Sequence, residues 1–305
     1  MDSRDADPGV EAVRAESGEL RAEPSGLHRK STKRNFTPMP YITTNGIKLA
    51  YDERGAGEPV LLIMGITAPG GVWEKHAEFW AKSFRCIMPD NRGVGLTDKP
   101  VGPYSSEMMA DDLVGLLDAL GLPQVRVVGC SMGSIIAQQL ALRHPARVRS
   151  LVLMCPWARC DAYARGIFAH MKTIKARLRP EEFMNYIQLL IFSKPTWDDA
   201  TSYAGLLDGQ QQAAEGTAPQ PLHALEGQAA ACVGHNTVHE LGQIKAPALV
   251  IGGDADIFTP RWMAEEVAGG IPGAELHLYP GAGHAFHWER IEDFNPRVRD
   301  WLAAH

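Results

Sequence analysis

The stretch Val125-Arg126-Val127-Val128-Gly129-Cys130-Ser131-Met132-Gly133-Ser134 runs straight into Ile135-Ile136-Ala137-Gln138-Gln139-Leu140-Ala141-Leu142. A β-branched run ends in Gly-x-Ser-x-Gly and passes without a spacer into a helical pattern. A serine at such a junction sits on a turn tight enough to strain its own backbone, and the residues two positions either side must be small so that strand and helix can approach. The hydroxyl is then held above the end of a sheet strand. The first amides of the following helix point to the place where negative charge would develop on a reacting carbonyl.

The surrounding sequence has the rhythm such a junction needs. Asn45-Gly46, between Tyr41–Thr44 and Ile47–Tyr51, is a strong hairpin signal. Val60–Met64 is a continuous apolar run of the kind buried on both faces of a sheet, and it opens into the Gly- and Pro-containing loop 65–71. A helix is expected over Trp73–Lys82 and a strand over Arg85–Pro89. Ser105-Ser106-Glu107 can cap a helix reaching Leu120, where Gly121 stops it. Val148–Cys155 returns as a strand. The alternation predicts a mainly parallel sheet with helices on both faces.

Between residues 156 and 244 the strand runs disappear and helical patterns take over, such as Ile167-Phe168…Met171…Ile174 and Phe183-Met184…Ile187…Leu190-Ile191. This segment reads as a helical cap inserted into a core made of residues 37–155 and 245–305. Strands resume at Pro247–Gly252 and Glu275–Tyr279, and a last helix is expected from Pro296 to Ala303. Residues 1–36 are polar and without hydrophobic periodicity, as in an unstructured tail.

The composition bounds the function. A chain of 305 residues with a net charge of −6 lacks the basic stripe of a nucleic-acid binder. No apolar run reaches the roughly 18 residues of a membrane span, and Met1–Glu23 has no apolar signal segment, so a cytoplasmic location is expected. The five cysteines at 86, 130, 155, 160 and 232 form no C-x-x-C pair and read as buried thiols. His235 and His239 lie four apart but lack supporting acidic or thiol ligands, and no phosphate loop or dinucleotide fingerprint occurs. Neither metal nor cofactor is expected. The partner implied is a small molecule, and nothing in the sequence distinguishes a monomer from a homodimer.

A serine needs a base, and the base an orienting acid. Two loops after expected strands supply candidates: Gly252-Gly253-Asp254-Ala255-Asp256-Ile257-Phe258-Thr259-Pro260 and Pro280-Gly281-Ala282-Gly283-His284-Ala285-Phe286-His287. In a parallel sheet such loops emerge at one edge. Chemistry alone leaves Asp254 beside Asp256, and His287 beside His284. Asp90 and Arg92 read as loop braces.

From about Thr37 onward the chain resembles the α/β-hydrolase fold family, in the form with a helical cap after the sixth strand of an eight-stranded, mainly parallel sheet. The resemblance rests on Gly129–Gly133, on Asp90-x-Arg92-Gly93-x-Gly95, on Gly253-x-x-Asp256-x-x-x-Pro260 and on Gly281-x-Gly283-His284. It implies Ser131 as nucleophile, His284 as base and Asp256 as orienting acid. It also implies an oxyanion hole from the backbone N–H groups of Met132 and Ile66. The family's usual His-Gly at the oxyanion loop is replaced by Met64-Gly65, which is more like aclacinomycin methylesterase-like and lactonase-like members. An aspartate nucleophile, as in haloalkane dehalogenases and epoxide hydrolases, is absent. Trp157, Phe286 and Thr67 are expected to contact substrate. The activity implied is hydrolysis of a small to medium hydrophobic ester or lactone. The alternatives are a ligand-binding receptor of the same fold, a carbon–carbon hydrolase, an acyltransferase or a non-hydrolytic member.

Overall fold

The Asn45-Gly46 hairpin joins β1 (Tyr41–Thr44) to β2 (Ile47–Arg54), with Tyr41 opposite Ala50 and Thr44 opposite Ile47. β2 also pairs antiparallel with β4 (Arg85–Pro89). Every other pairing is parallel: β3 (Pro59–Ile63) with β4 and β5 (Val125–Cys130), then β5 with β6 (Val148–Met154), β6 with β7 (Ala248–Gly253) and β7 with β8 (Glu275–Tyr279). The sheet order is β1-β2-β4-β3-β5-β6-β7-β8. The computed structural model describes residues 39–216 and 219–305. The tail expected over residues 1–36 lies outside the described residues.

The apolar runs bury both faces of the sheet, as their continuity requires. Leu61 and Ile63 of β3 face one core with Leu113, Ile135, Ile136 and Val267, from α2 (Ser106–Ala119), α3 (Met132–Arg143) and α9 (Arg261–Gly270). Val60 and Leu62 face the other, with Trp80 of α1 (Glu74–Trp80) and Trp301 and Leu302 of α11 (Ile291–Ala304). The Ser105 hydroxyl caps α2 by accepting from the Met108 amide at 3.1 Å, and Gly121 leaves the helix at φ +65°.

Two boundaries differ from the sequence expectation. A turn of 3₁₀ helix, Gly70–Trp73, precedes α1. The last helix begins at Ile291, so Pro296 lies inside it rather than at its start. A proline that near the N-terminus removes a single ladder bond, and the face formed by Phe294, Val298, Trp301 and Leu302 is buried enough to offset that loss.

Among the described residues, five α-helices lie between β6 and β7: α4 (Ala162–Lys175), α5 (Pro180–Ile191), α6 (Lys194–Asp198), α7 (Ala200–Glu215) and α8 (Leu222–Gly234). This is the insert expected after the sixth strand. Among the described residues no helix is long and apolar enough to cross a membrane. All five cysteines are buried free thiols.

Candidate active site

Parallel pairing brings the C-terminal ends of β3, β5, β7 and β8 to one edge, and four loops meet there. Ser131 follows β5 at φ 54°, ψ −118°, a left-handed conformation for a residue with a side chain. That conformation costs about 1–3 kcal/mol and persists only where the surroundings impose it. Here two glycines impose it: a Cβ on Gly129 would run into the backbone oxygen of Gly133, and one on Gly133 into that of Ile63. Either side chain would push helix and strand apart.

After β7, Asp256 is 5 % exposed and carries a full set of donors. Its Oδ1 accepts from the amides of Phe258 (2.7 Å) and Thr259 (2.9 Å), and its Oδ2 from the Thr259 hydroxyl (2.8 Å) and His284 Nδ1 (2.7 Å). The Thr259 hydroxyl also lies 3.0 Å from His284 Nδ1, and the Phe258 ring sits 4.9 Å from the imidazole. With Nδ1 donating to a carboxylate, His284 keeps Nε2 free to take a proton. Burial works against the charged imidazole, but the charge and hydrogen bond of Asp256 outweigh it and raise the His284 pKa above its ordinary value. Asp254 instead accepts from the exposed Gly281 amide, away from either histidine.

The loop after β3 passes over the serine. A Cβ on Gly65 would lie 3.2 Å from that of Ser131. Ile66 follows, and its N–H has no acceptor among the described residues. Met132 opens α3, where amides lack helical acceptors. In place of a histidine, two amides brace this loop: Asn91 donates to the Met64 carbonyl at 2.8 Å, and Gln228 of α8 accepts from the Thr67 amide at 2.9 Å while donating to the Arg92 carbonyl at 2.8 Å. Asp90 receives the amides of Gly70 and Leu96, and Arg92 is forked onto buried Asp112.

Ser131 and His284 share a cavity of about 300 Å³. Its outer wall is Met171, Met184, Ile187, Ile191 and Leu206 from the insert, and its inner side is Ile66, Thr67 and Phe258. Val72, Phe192, Gly205, Leu206 and Trp288 also border a second, wider space of about 980 Å³ between α7 and the core, so the two are consecutive. Phe192 and Trp288 stack at the junction, ring centres 6.0 Å apart.

Two aromatic residues expected at the substrate lie elsewhere. Phe286 is fully buried against Tyr279 and Phe294, because its side chain turns under the sheet from α10 (Phe286–Glu289). Trp157 packs on Phe168 beneath the insert. Neither lines the cavity, whereas Thr67 does. His235 and His239 sit past the end of α8, so they share no helical face. His235 is buried against Ser106, Gln138 and Thr237, and His239 is exposed. The cluster of potential metal ligands found among the described residues, Cys155, Asp256 and His284, is already committed: Asp256 is saturated, and the Cys155 thiol donates to the His284 carbonyl at 3.3 Å.

One residue with no motif ties the insert to this centre. Glu289 Oε1 accepts from the Ser193 amide (2.7 Å) and the Thr196 hydroxyl (2.8 Å), and its Oε2 from the Gly283 amide (2.8 Å). The Ala285 amide adds a bond to the Ile191 carbonyl at 2.8 Å. The loop carrying His284 is thus joined to the α5–α6 connection.

The family model for the alpha/beta hydrolase fold matches residues 58–291. A candidate non-heme bromoperoxidase of Mycobacterium tuberculosis is 33 % identical over 264 residues, 85 % of this chain and 98 % of the relative. A candidate carbamate hydrolase of Azorhizobium caulinodans is 31 % identical, over 84 % of this chain and 96 % of its own length. Among solved structures, a thermophilic esterase from Thermogutta terrifontis is similar with a TM-score of 0.77 and 27 % identity, covering 88 % of this chain and 98 % of the esterase.

Proposed function

This chain belongs to the α/β-hydrolase fold family, and from that premise we propose that it is a serine hydrolase acting on a compact, uncharged, hydrophobic carboxylic ester or lactone. The observation that carries the reading is the strained Ser131 sharing one cavity with His284, whose other nitrogen is bound to Asp256 at 2.7 Å. His284 Nε2 takes the Ser131 proton as Oγ attacks the carbonyl. The N–H groups of Met132 and Ile66 receive the oxyanion, and His284 then gives the proton to the leaving oxygen. Water, deprotonated by the same nitrogen, releases the acyl group from Ser131.

The substrate class follows from the wall. No lysine or arginine is among the residues lining the inner cavity, so a free carboxylate there would be buried without a counter-charge. At about 300 Å³ the space is at the small end of ligand pockets. The wider outer space suits the larger portion of the substrate and gives it a path to solvent. In this reading the insert acts as the cap that selects among acyl groups. The M. tuberculosis and A. caulinodans relatives point to peroxide- and carbamate-directed chemistry as variants of the same centre.

The test is hydrolysis of p-nitrophenyl esters of increasing acyl length, alongside aryl lactones, with labelling by a fluorophosphonate. Short and medium esters are expected to turn over, with Ser131→Ala losing both turnover and the label. A folded wild-type protein that is neither labelled nor active would remove this reading in favour of ligand binding without turnover.

A further inference from the structure

Behind the cavity, on the side away from the insert, three polar side chains are buried among aromatic rings. They come from three helices: His76 from α1, His287 from α10 and Asn295 from α11, exposed by 0 %, 2 % and 5 %. Asn295 Oδ1 lies 2.6 Å from His76 Nδ1, and His76 Nε2 lies 2.9 Å from His287 Nδ1. Trp73, Trp80, Phe286 and Phe294 pack around them. Phenylalanine would fill such a site at less cost than a histidine pair, so the hydrogen bonds need a reason.

The bonds run in one direction. An amide oxygen only accepts, so His76 Nδ1 carries a proton. Burial pushes the His76 pKa down to about 4 and pushes that of His287 well below the ordinary imidazole value, so both rings are neutral. A neutral ring has a single N–H. His76 Nε2 therefore accepts from His287 Nδ1, and His287 Nε2 is left as a bare lone pair. Among the described residues its one hydrogen-bonding contact is the Cys130 thiol, a weak donor at the 4.0 Å limit of contact. Cys130 and His287 both line the inner cavity, and Cys130 immediately precedes Ser131. Gln188, also in the lining, is committed elsewhere: it donates to the Leu206 carbonyl and accepts from Gln210.

We propose that His287 Nε2 is a substrate-reading acceptor, which takes a hydrogen bond from a neutral O–H or N–H borne next to the scissile carbonyl, and that His76 and Asn295 are the positioning residues that aim it. The inference rests on the ester-hydrolase reading and narrows it to substrates such as 2-hydroxy esters or N–H carbamates. A substrate without the donor leaves the lone pair buried and unpaired, and that penalty is the source of the selectivity.

Two matched pairs test it. These are ethyl 2-hydroxybutanoate against ethyl 2-methoxybutanoate, and ethyl N-methylcarbamate against its N,N-dimethyl analogue, with each kcat/KM divided by the alkaline hydrolysis rate of the same compound. Wild type should favour the donor-bearing member of at least one pair by about 10–100-fold. His287→Phe should erase that preference while still hydrolysing the methylated member. His76→Phe should erode it, and His76→Gln, which still offers His287 an acceptor, should restore it. A preference that survives in His287→Phe, or its absence from wild type in both pairs, overturns the proposal.

Long-range ¹H–¹⁵N spectra of ¹⁵N-histidine-labelled wild type need neither a variant nor turnover. The expected result is an unprotonated His287 Nε2 whose resonance moves on adding 3-hydroxy-2-pentanone and not 3-methoxy-2-pentanone, uncharged ketone analogues of the two esters. A protonated Nε2 in the free protein overturns the proposal. Loss of all ester turnover with that spectrum intact would fault the ester reading and leave the acceptor standing.

Discussion

His284 and Asp256 come from loops 28 residues apart and meet at 2.7 Å, and the carboxylate is held so fully that it has little freedom to turn. Two amides fix one oxygen, and the Thr259 hydroxyl shares the other with the imidazole. The acid is a positioned acceptor before it is a charge. Replacing it with an amide would present an N–H to a ring nitrogen that already carries one, and would force the other tautomer. Asp256→Asn is expected to lower kcat by about 10³–10⁴-fold with a small effect on KM. Steady-state kinetics on a p-nitrophenyl ester, with a circular dichroism spectrum to verify folding, checks this.

The same pair sets the pH dependence. Asp256 holds the His284 pKa above the ordinary imidazole value of 6.5 despite burial, and the proposed mechanism needs His284 neutral to act as base. The kcat/KM for ester hydrolysis should therefore rise with pH along a single-proton curve whose midpoint lies above 6.5. A midpoint at or below 6.5 would show that the carboxylate does not outweigh burial.

His235 gives a stability prediction of opposite sign. Burial lowers its pKa to about 4, so between pH 6.5 and 4 the unfolded chain binds a proton that the folded chain refuses. Stability is full above pH 6.5 and falls as the pH drops toward 4, by about 3 kcal/mol for a shift of this size. Urea titrations from pH 7 to 4 should show a shallower decline for His235→Gln than for wild type.

The elbow tolerates no side chain at its glycines. Gly133→Ala places a methyl group against the Ile63 carbonyl, backbone that cannot swing aside. A loss of about 3 kcal/mol or more, or failure to fold, is expected, and chemical denaturation or soluble yield reads it.

Gly205 tests the passage between the two spaces. It is exposed on α7, it borders both, and a Cβ there meets nothing within 4 Å. Gly205→Trp should leave folding and the hydrolysis of p-nitrophenyl acetate nearly unchanged while raising KM for long or branched esters by about tenfold. An equal effect on all chain lengths would mean that substrates enter elsewhere.

The sequence made the chemistry legible wherever a backbone constraint leaves a residue signature. Gly129 and Gly133 announce the turn at Ser131, and the strand runs before 254 and 280 put both loops at the correct edge. Pattern alone left Asp254 and His287 open as partners, since which side chain reaches which nitrogen depends on loop conformation. The pocket wall was less legible. Trp157 and Phe286 are near Ser131 and His284 in sequence or register, yet they point into the core. The residues that do form the wall, such as Met171, Met184 and Leu206, look like any apolar helix face until the helices are packed. Glu289 carried no signal because its three partners are two backbone amides and a hydroxyl, which leave no residue signature, and two of them come from the distant α5–α6 connection.

The Glu289 clamp bears on how such a protein can diversify. The insert is fastened at Ile191–Thr196 to the loop that carries His284, by bonds that use backbone amides at 193, 283 and 285. Substitutions along α4, α5 or α7 can reshape the wall freely, because none of those side chains holds the fastening. An insertion or deletion within 191–196 is different: it would drag His284 out of register with Ser131. New substrate ranges should thus arise in this lineage by changing side chains on helices of fixed attachment rather than by length variation within 191–196.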